Sequence, residues 1–155
     1  MIASRQLAQR IPAVLALFGV LLLSLAAPSF ALGEDMIAEE KRIRPDPVLM
    51  AEMKIIRDLT LDIHSLVTHR RLSPAAGRSF QDKIKGALGR IQAGTTLIGE
   101  PRDSLTAMVQ DISAGAAAIA GKDPSTEPID GIVLIDDALA RYGTLFDDPE
   151  WEPLR

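Results

Sequence analysis

His64 and His69 are the only histidines in this sequence, and with Met36, Met50 and Met53 they are its first candidates for metal chemistry. Five residues on a helix turn the chain through about 500°, so the two imidazoles end roughly 140° apart and cannot grip one ion from one face. A hydrolytic zinc centre normally takes three protein ligands, often two from His-Glu-x-x-His, and that motif is absent. Di-iron bundles use Glu-x-x-His, but Leu61 stands three residues before His64 and Leu66 three before His69. Thioethers are the remaining option. Met50 and Met53 lie three apart, a spacing that suits a Cu(I) site. His64 completes the candidate metal set. It lies about 21 Å farther along a helix, so it would have to come from another chain or a folded-back segment. Core packing accounts for the two methionines equally well.

No catalytic residue is assigned. Asp136 with Asp137, Asp147 with Asp148, and Asp58 with Asp62 are paired carboxylates, but none sits in a catalytic signature. Adjacent aspartates point to different faces of a helix, and Asp147, Asp148, Glu150 and Glu152 read as a solvated acidic tail. That tail has no glycine for a calcium loop. Ser65, Ser73, Ser104, Ser113 and Ser125 occur without a Gly-x-Ser-x-Gly elbow, and no phosphate-binding glycine loop is present. The absence of cysteine excludes disulfides, thiolate metal sites and covalent haem. No cofactor is expected.

The elements that must position these groups are helices. Asp46-Pro47 is a cap followed by proline at the first helical position. From there Leu49, Met53, Ile56, Thr60, Ile63 and Val67 recur at spacings of four and three, which predicts a first helix ending near Arg70. Ser73-Pro74 repeats the signature for a second helix, with Phe80, Ile84, Leu88 and Ile91 inward and a stop near Gly94. Leu97 to Pro101 reads as a connector. A third helix then carries Leu105, Met108, Val109, Ile112, Ala116 and Ile119 to a stop at Gly121. Its Ala- and Gly-rich stretch from Ser113 to Gly121 lets another helix approach closely. Thr126 before Pro128 is the expected cap of a fourth helix bearing Ile132, Ile135, Leu139, Tyr142 and Phe146. The fold class implied is all-α, an antiparallel up-down four-helix bundle over 46–155, because short links force neighbours to reverse.

Upstream, Arg5 and Arg10 precede an apolar run from Ile11 to Ala27 and a small-x-small pair at Ser29 and Ala31. That is the pattern of a cleavable signal peptide over 1–31, with an uncleaved membrane anchor over Ile11 to Ala27 as the alternative; cleavage implies a periplasmic or secreted protein with no stable membrane span. Residues 32–45 read as a flexible charged lead. Removing 1–31 leaves 124 residues with 15 of the 17 Lys and Arg and all 21 Asp and Glu, a net charge of −6. Such a chain is a poor partner for nucleic acid. Its cations are nonetheless clustered: Arg70, Arg71, Arg78, Lys83, Lys85, Arg90 and Arg102 make the second helix and its flanks basic, a face able to dock an acidic protein partner or an anionic membrane.

Tyr142-Gly143-Thr144-Leu145-Phe146-Asp147-Asp148-Pro149-Glu150-Trp151 holds the only Tyr and the only Trp. This run resembles small exported helical-bundle proteins of proteobacteria that end in Tyr and Phe-Asp-x-Pro-x-Trp, a resemblance that implies no activity, cofactor or partner. Physically, Pro149 turns the tail so that Trp151 folds over one end of the bundle. The expectation from sequence is a non-enzymatic exported binding or interaction protein. A copper-type metal-binding protein is the first alternative and an enzyme the second.

Overall fold

Side-chain caps followed by proline set the first two of the four helices. In a computed structural model that describes residues 42–122 and 125–154, Asp46 is extended and its Oδ1 accepts the Leu49 amide at 2.8 Å. Helix α1, Pro47–Thr68, begins there. Ser73 does the same for α2, Pro74–Gly94, with Oγ accepting the Ala76 amide at 3.2 Å. Helices α3, Glu100–Ile119, and α4, Pro128–Leu145, start differently from the sequence expectation. The connector before α3 is shorter than expected: Gly99 at φ 66 reverses the chain, and its carbonyl accepts the Arg102 and Asp103 amides. A side chain would be strained at that angle. The cap of α4 is Glu127 rather than Thr126, and the Glu127 amide donates to Asp130 Oδ2 at 3.1 Å. A carboxylate three residues into the helix satisfies the orphan amide, which a scan for Ser or Thr alone does not anticipate.

Two helix ends share one geometry with different residues. At the end of α3, Gly121 at φ 69 lets its amide reach Ala118 O while the Lys122 amide reaches Ala117 O. At the end of α1 the same pair of bonds forms around Arg70, at φ 54, with the Arg70 amide on Val67 O and the Arg71 amide on Leu66 O. A non-glycine residue there carries roughly 1 kcal/mol of backbone strain.

Among the described residues the regular elements are four helices, with no strand, and the helices pack against each other. Helix α1 neighbours α2 and α4, and α3 neighbours the same two. The core is the inward seams: Leu49, Met53, Ile56 and Ile63 from α1, Phe80, Ile84 and Ile91 from α2, Leu105, Met108 and Ile112 from α3, and Ile132, Ile135, Leu139 and Tyr142 from α4. Burying each such side chain contributes roughly 1.5–3 kcal/mol, which must hold the fold without disulfides. Thr60 sits in this seam, and its hydroxyl donates to Ile56 O at 2.8 Å. The closest helix approach is where the sequence is poorest in side chain. A Cβ added to Gly115 would lie 2.5 Å from Gly131 O, and one added to Gly131 the same distance from Gly115 O.

The signal assigned to 1–31 and the lead as far as 41 lie outside the described residues. The end of the 32–45 stretch is not loose. The Ile43 amide donates to Leu145 O at 3.0 Å, and the Asp147 amide donates to Ile43 O at 2.9 Å, an isolated parallel bridge to Phe146.

Candidate functional site

The histidines stand apart from any site. Both are exposed, His64 on α1 and His69 as its C-terminal cap, where His69 Nδ1 lies 2.9 Å from Ser65 O and His64 Nδ1 3.5 Å from the Thr68 hydroxyl. Each is occupied by its own helix. The two methionines divide: Met53 is fully buried in the core, whereas Met50 is half-buried and lines a surface cleft. The structure therefore brings Met50, Met53 and His64 to three surroundings rather than one. Among the described residues no three His, Cys, Asp or Glu side chains gather as a metal site.

One proximity escaped the sequence reading. Asp136 on α4 is half-buried and its Oδ1 has no hydrogen-bond partner, whereas Asp137 beside it is exposed. Burial pushes the Asp136 carboxyl up, His64 on α1 pulls it down, and Asp137 raises it again. The sequence could not show this, because it depends on how α1 and α4 are aligned.

The Met50 cleft is walled by the C-terminal tail. Pro149 turns the chain after Asp148, and Trp151 returns to meet Tyr142 edge-on, with ring centroids 4.6 Å apart. Tyr142 also stacks on Phe146 at 5.1 Å, and its hydroxyl donates to Asp148 Oδ2 at 2.9 Å. Burial first, and then that bond and the Asp148 charge, hold the Tyr142 phenol far above its usual range. The indole rests on Gly143, where a Cβ would come within 2.6 Å of Nε1. On the far wall Arg57 pairs with Glu152 at 3.0 Å and with Asp58 at 2.9 Å. A volume of about 490 Å³ remains between α1 and this strap. Its lining mixes Lys54 and Arg57 with Asp148, Glu150 and Glu152, so no single ligand charge is selected. The aromatic run is a fold-closing strap.

The basic face of α2 is different. Arg90 reaches α1 and forms a two-pronged pair with Glu52, at 2.6 and 2.9 Å. Arg78, Lys83 and Lys85 are exposed and make no ion pair among the described residues. Arg78 and Lys85 lie two turns apart on one stripe. Lys85 borders a shallow groove whose other side is α3, at Gln110, Ser113, Ala114 and Ala117. Small side chains keep that surface smooth.

Compared with known proteins, the chain matches no family model, no curated protein and no solved structure. Its chemistry has to be argued from these surfaces. Among the described residues no helix is long and apolar enough to cross a membrane.

Proposed function

We propose that this chain is an exported, non-enzymatic binding protein, an antiparallel up-down bundle working in the periplasm or beyond it, that docks an acidic protein partner on α2. One observation carries the reading. Among the described residues, Arg90 is the one cation of the four on α2 that an ion pair neutralises, and Arg78, Lys83 and Lys85 are exposed. Three exposed cations on one helix of a net negative protein form a local field that attracts carboxylate-rich surfaces. The antiparallel arrangement is supported by end-to-end pairings: Val48 packs on Gly94, and Gly77 lies against Ile119 O. The non-enzymatic reading is supported by the histidines, each held by its own helix, and by Met53 in the core.

Export is tested by native mass spectrometry of the protein taken from the periplasm of its producing cells without chelator. A mass beginning at Leu32 is expected; a chain retaining 1–31 overturns cleavage, and an added metal mass overturns the metal-free reading. Docking is tested with immobilised poly-glutamate as the acidic probe. Binding that weakens with salt, and falls several-fold in Lys83→Ala/Lys85→Ala, is expected from rim charges worth up to about 1 kcal/mol each. Equal binding by the variant overturns it.

A further inference from the structure

A second cleft, of about 880 Å³, opens at the bundle end where α1 and α3 finish and α2 and α4 begin. Val67 and Ile119, both buried, form its floor, and Leu72 and Ile129 rise half-exposed at its sides. Among the described residues no aromatic side chain lines it, so they offer an apolar surface for an alkyl chain and no stacking platform for a ring. Arg70 and Arg78 stand at its rim and, among the described residues, form no ion pair; Glu127 is the one carboxylate among the described residues that line it. The volume falls within the roughly 300–1,000 Å³ of small-molecule sites. A guanidinium is the cation best matched to a carboxylate, through two parallel hydrogen bonds.

We propose that this cleft binds a single-chain amphiphile with an anionic head, a long-chain alkyl carboxylate. Its chain lies on Val67, Leu72, Ile119 and Ile129, and its head meets Arg70 and Arg78. This goes beyond docking on α2, because the ligand is a small molecule held at the bundle end. Arg78 belongs to both surfaces, Lys83 and Lys85 only to the docking face, and Ile129 only to the cleft.

The test is isothermal titration of the full chain with decanoate, dodecanoate and tetradecanoate below their micelle concentrations. One-to-one binding is expected, strengthening about fourfold per added methylene until the cleft is filled. Arg70→Gly/Arg78→Gln should lose at least tenfold, and Arg70→Gly is expected to fold because glycine suits the left-handed backbone at φ 54. Ile129→Asp should also lose binding, while Lys83→Ala/Lys85→Ala should retain it. The apolar run 11–27 is common to every variant, so uptake onto it cancels. The proposal is overturned by absence of saturable binding, by equal binding of the matching alkyl alcohol, by indifference to the arginine substitutions, or by association with anionic phospholipid vesicles in place of the free carboxylate.

Discussion

Asp46 does two jobs with its two oxygens, and removing them should cost more than a helix cap. Oδ1 accepts the Leu49 amide and starts α1, while Oδ2 accepts the Thr95 hydroxyl at 2.7 Å and the Thr96 amide at 3.0 Å, clasping the connector that follows α2. Losing a cap costs about 1 kcal/mol. The two further bonds, at a half-buried carboxylate where water partly replaces them, add about 0.5–1 kcal/mol each. Asp46→Ala should therefore destabilise by about 2–3 kcal/mol and lower the Tm by roughly 8–12 °C for a domain of this size. Asp46→Asn keeps the acceptor for Leu49 but turns an amide donor toward the Thr96 amide, so about 1 kcal/mol is lost. The two roles separate in a double-mutant cycle with Thr95→Val followed by denaturant unfolding. A coupling of at least about 0.5 kcal/mol is expected. Additivity within about 0.3 kcal/mol would refute the clasp.

The same carboxylate predicts a pH dependence. Burial raises its pKa, but the bonds from Leu49, Thr95, Thr96 and Val48 outweigh burial and hold it below the usual aspartate value. A depressed folded-state pKa gives stability that is present above the unfolded value of about 3.9 and is lost as pH falls through the lower folded one. The gap in Tm between wild type and Asp46→Ala should be full at neutral pH and close progressively below about pH 4. A gap that persists unchanged under acid would mean that neutral hydrogen bonding, rather than the charge, does the holding.

Three other perturbations read other parts of the fold. Gly115→Ala drives a methyl into Gly131 O at 2.5 Å, backbone against backbone, and should destabilise by about 3 kcal/mol in chemical denaturation despite its better helix propensity; a neutral effect would mean that α3 and α4 are farther apart than described. Tyr142 is the only tyrosine, so tyrosinate absorbance titrates it alone: its raised pKa gives stability that is full below about pH 10 and lost as pH rises, and tyrosinate should appear only as the protein unfolds. Tyr142→Phe should cost about 1 kcal/mol at neutral pH, the worth of the Asp148 bond, measured by thermal melting. Gly143→Ala should lift the indole of the only tryptophan and shift its emission to the red, with little net change in Tm because helix propensity offsets the displacement by up to about 1 kcal/mol; unchanged emission would place Trp151 off Gly143.

What the sequence made legible was local. Asp46-Pro47 and Ser73-Pro74 announce helices because a cap and its amide are three residues apart. Apolar spacing placed Leu49, Ile56, Ile84, Ile112 and Ile135 inward, where the structure buries them. What it missed was set by register between helices. The second oxygen of Asp46 acts 49 residues away, and Asp136 feels His64 only because α4 lies against α1. The Glu127 cap was overlooked for a different reason: Thr126 is the better capping type by preference, but Asp130 lies three residues beyond Glu127 and completes that position instead.

The candidate metal residues show how far residue type can carry a site. Met50 and Met53 are one turn apart, close enough to share an ion, yet the three-residue step that brings them near also rotates Met53 into the core while Met50 stays at the surface. A core seam recruits one member of any such pair. Charge behaves otherwise, because a lysine or arginine tip stays in water wherever its stem is packed, so a cluster of cations in the sequence remains a cluster on the surface. That is why the basic character of α2 carried over from sequence to structure while the thioether pair did not. The two ends of the bundle extend the contrast. One is covered by Trp151, Phe146 and the Ile43 bridge, and there Glu152 pairs with Arg57 and Asp148 accepts from Tyr142. At the other, among the described residues, Leu72 and Ile129 are partly exposed beneath two arginines that form no ion pair. Partly exposed apolar surface beside an excess of cationic side chains is costly for folding and useful for binding, so this end is where an anionic amphiphile has most to add.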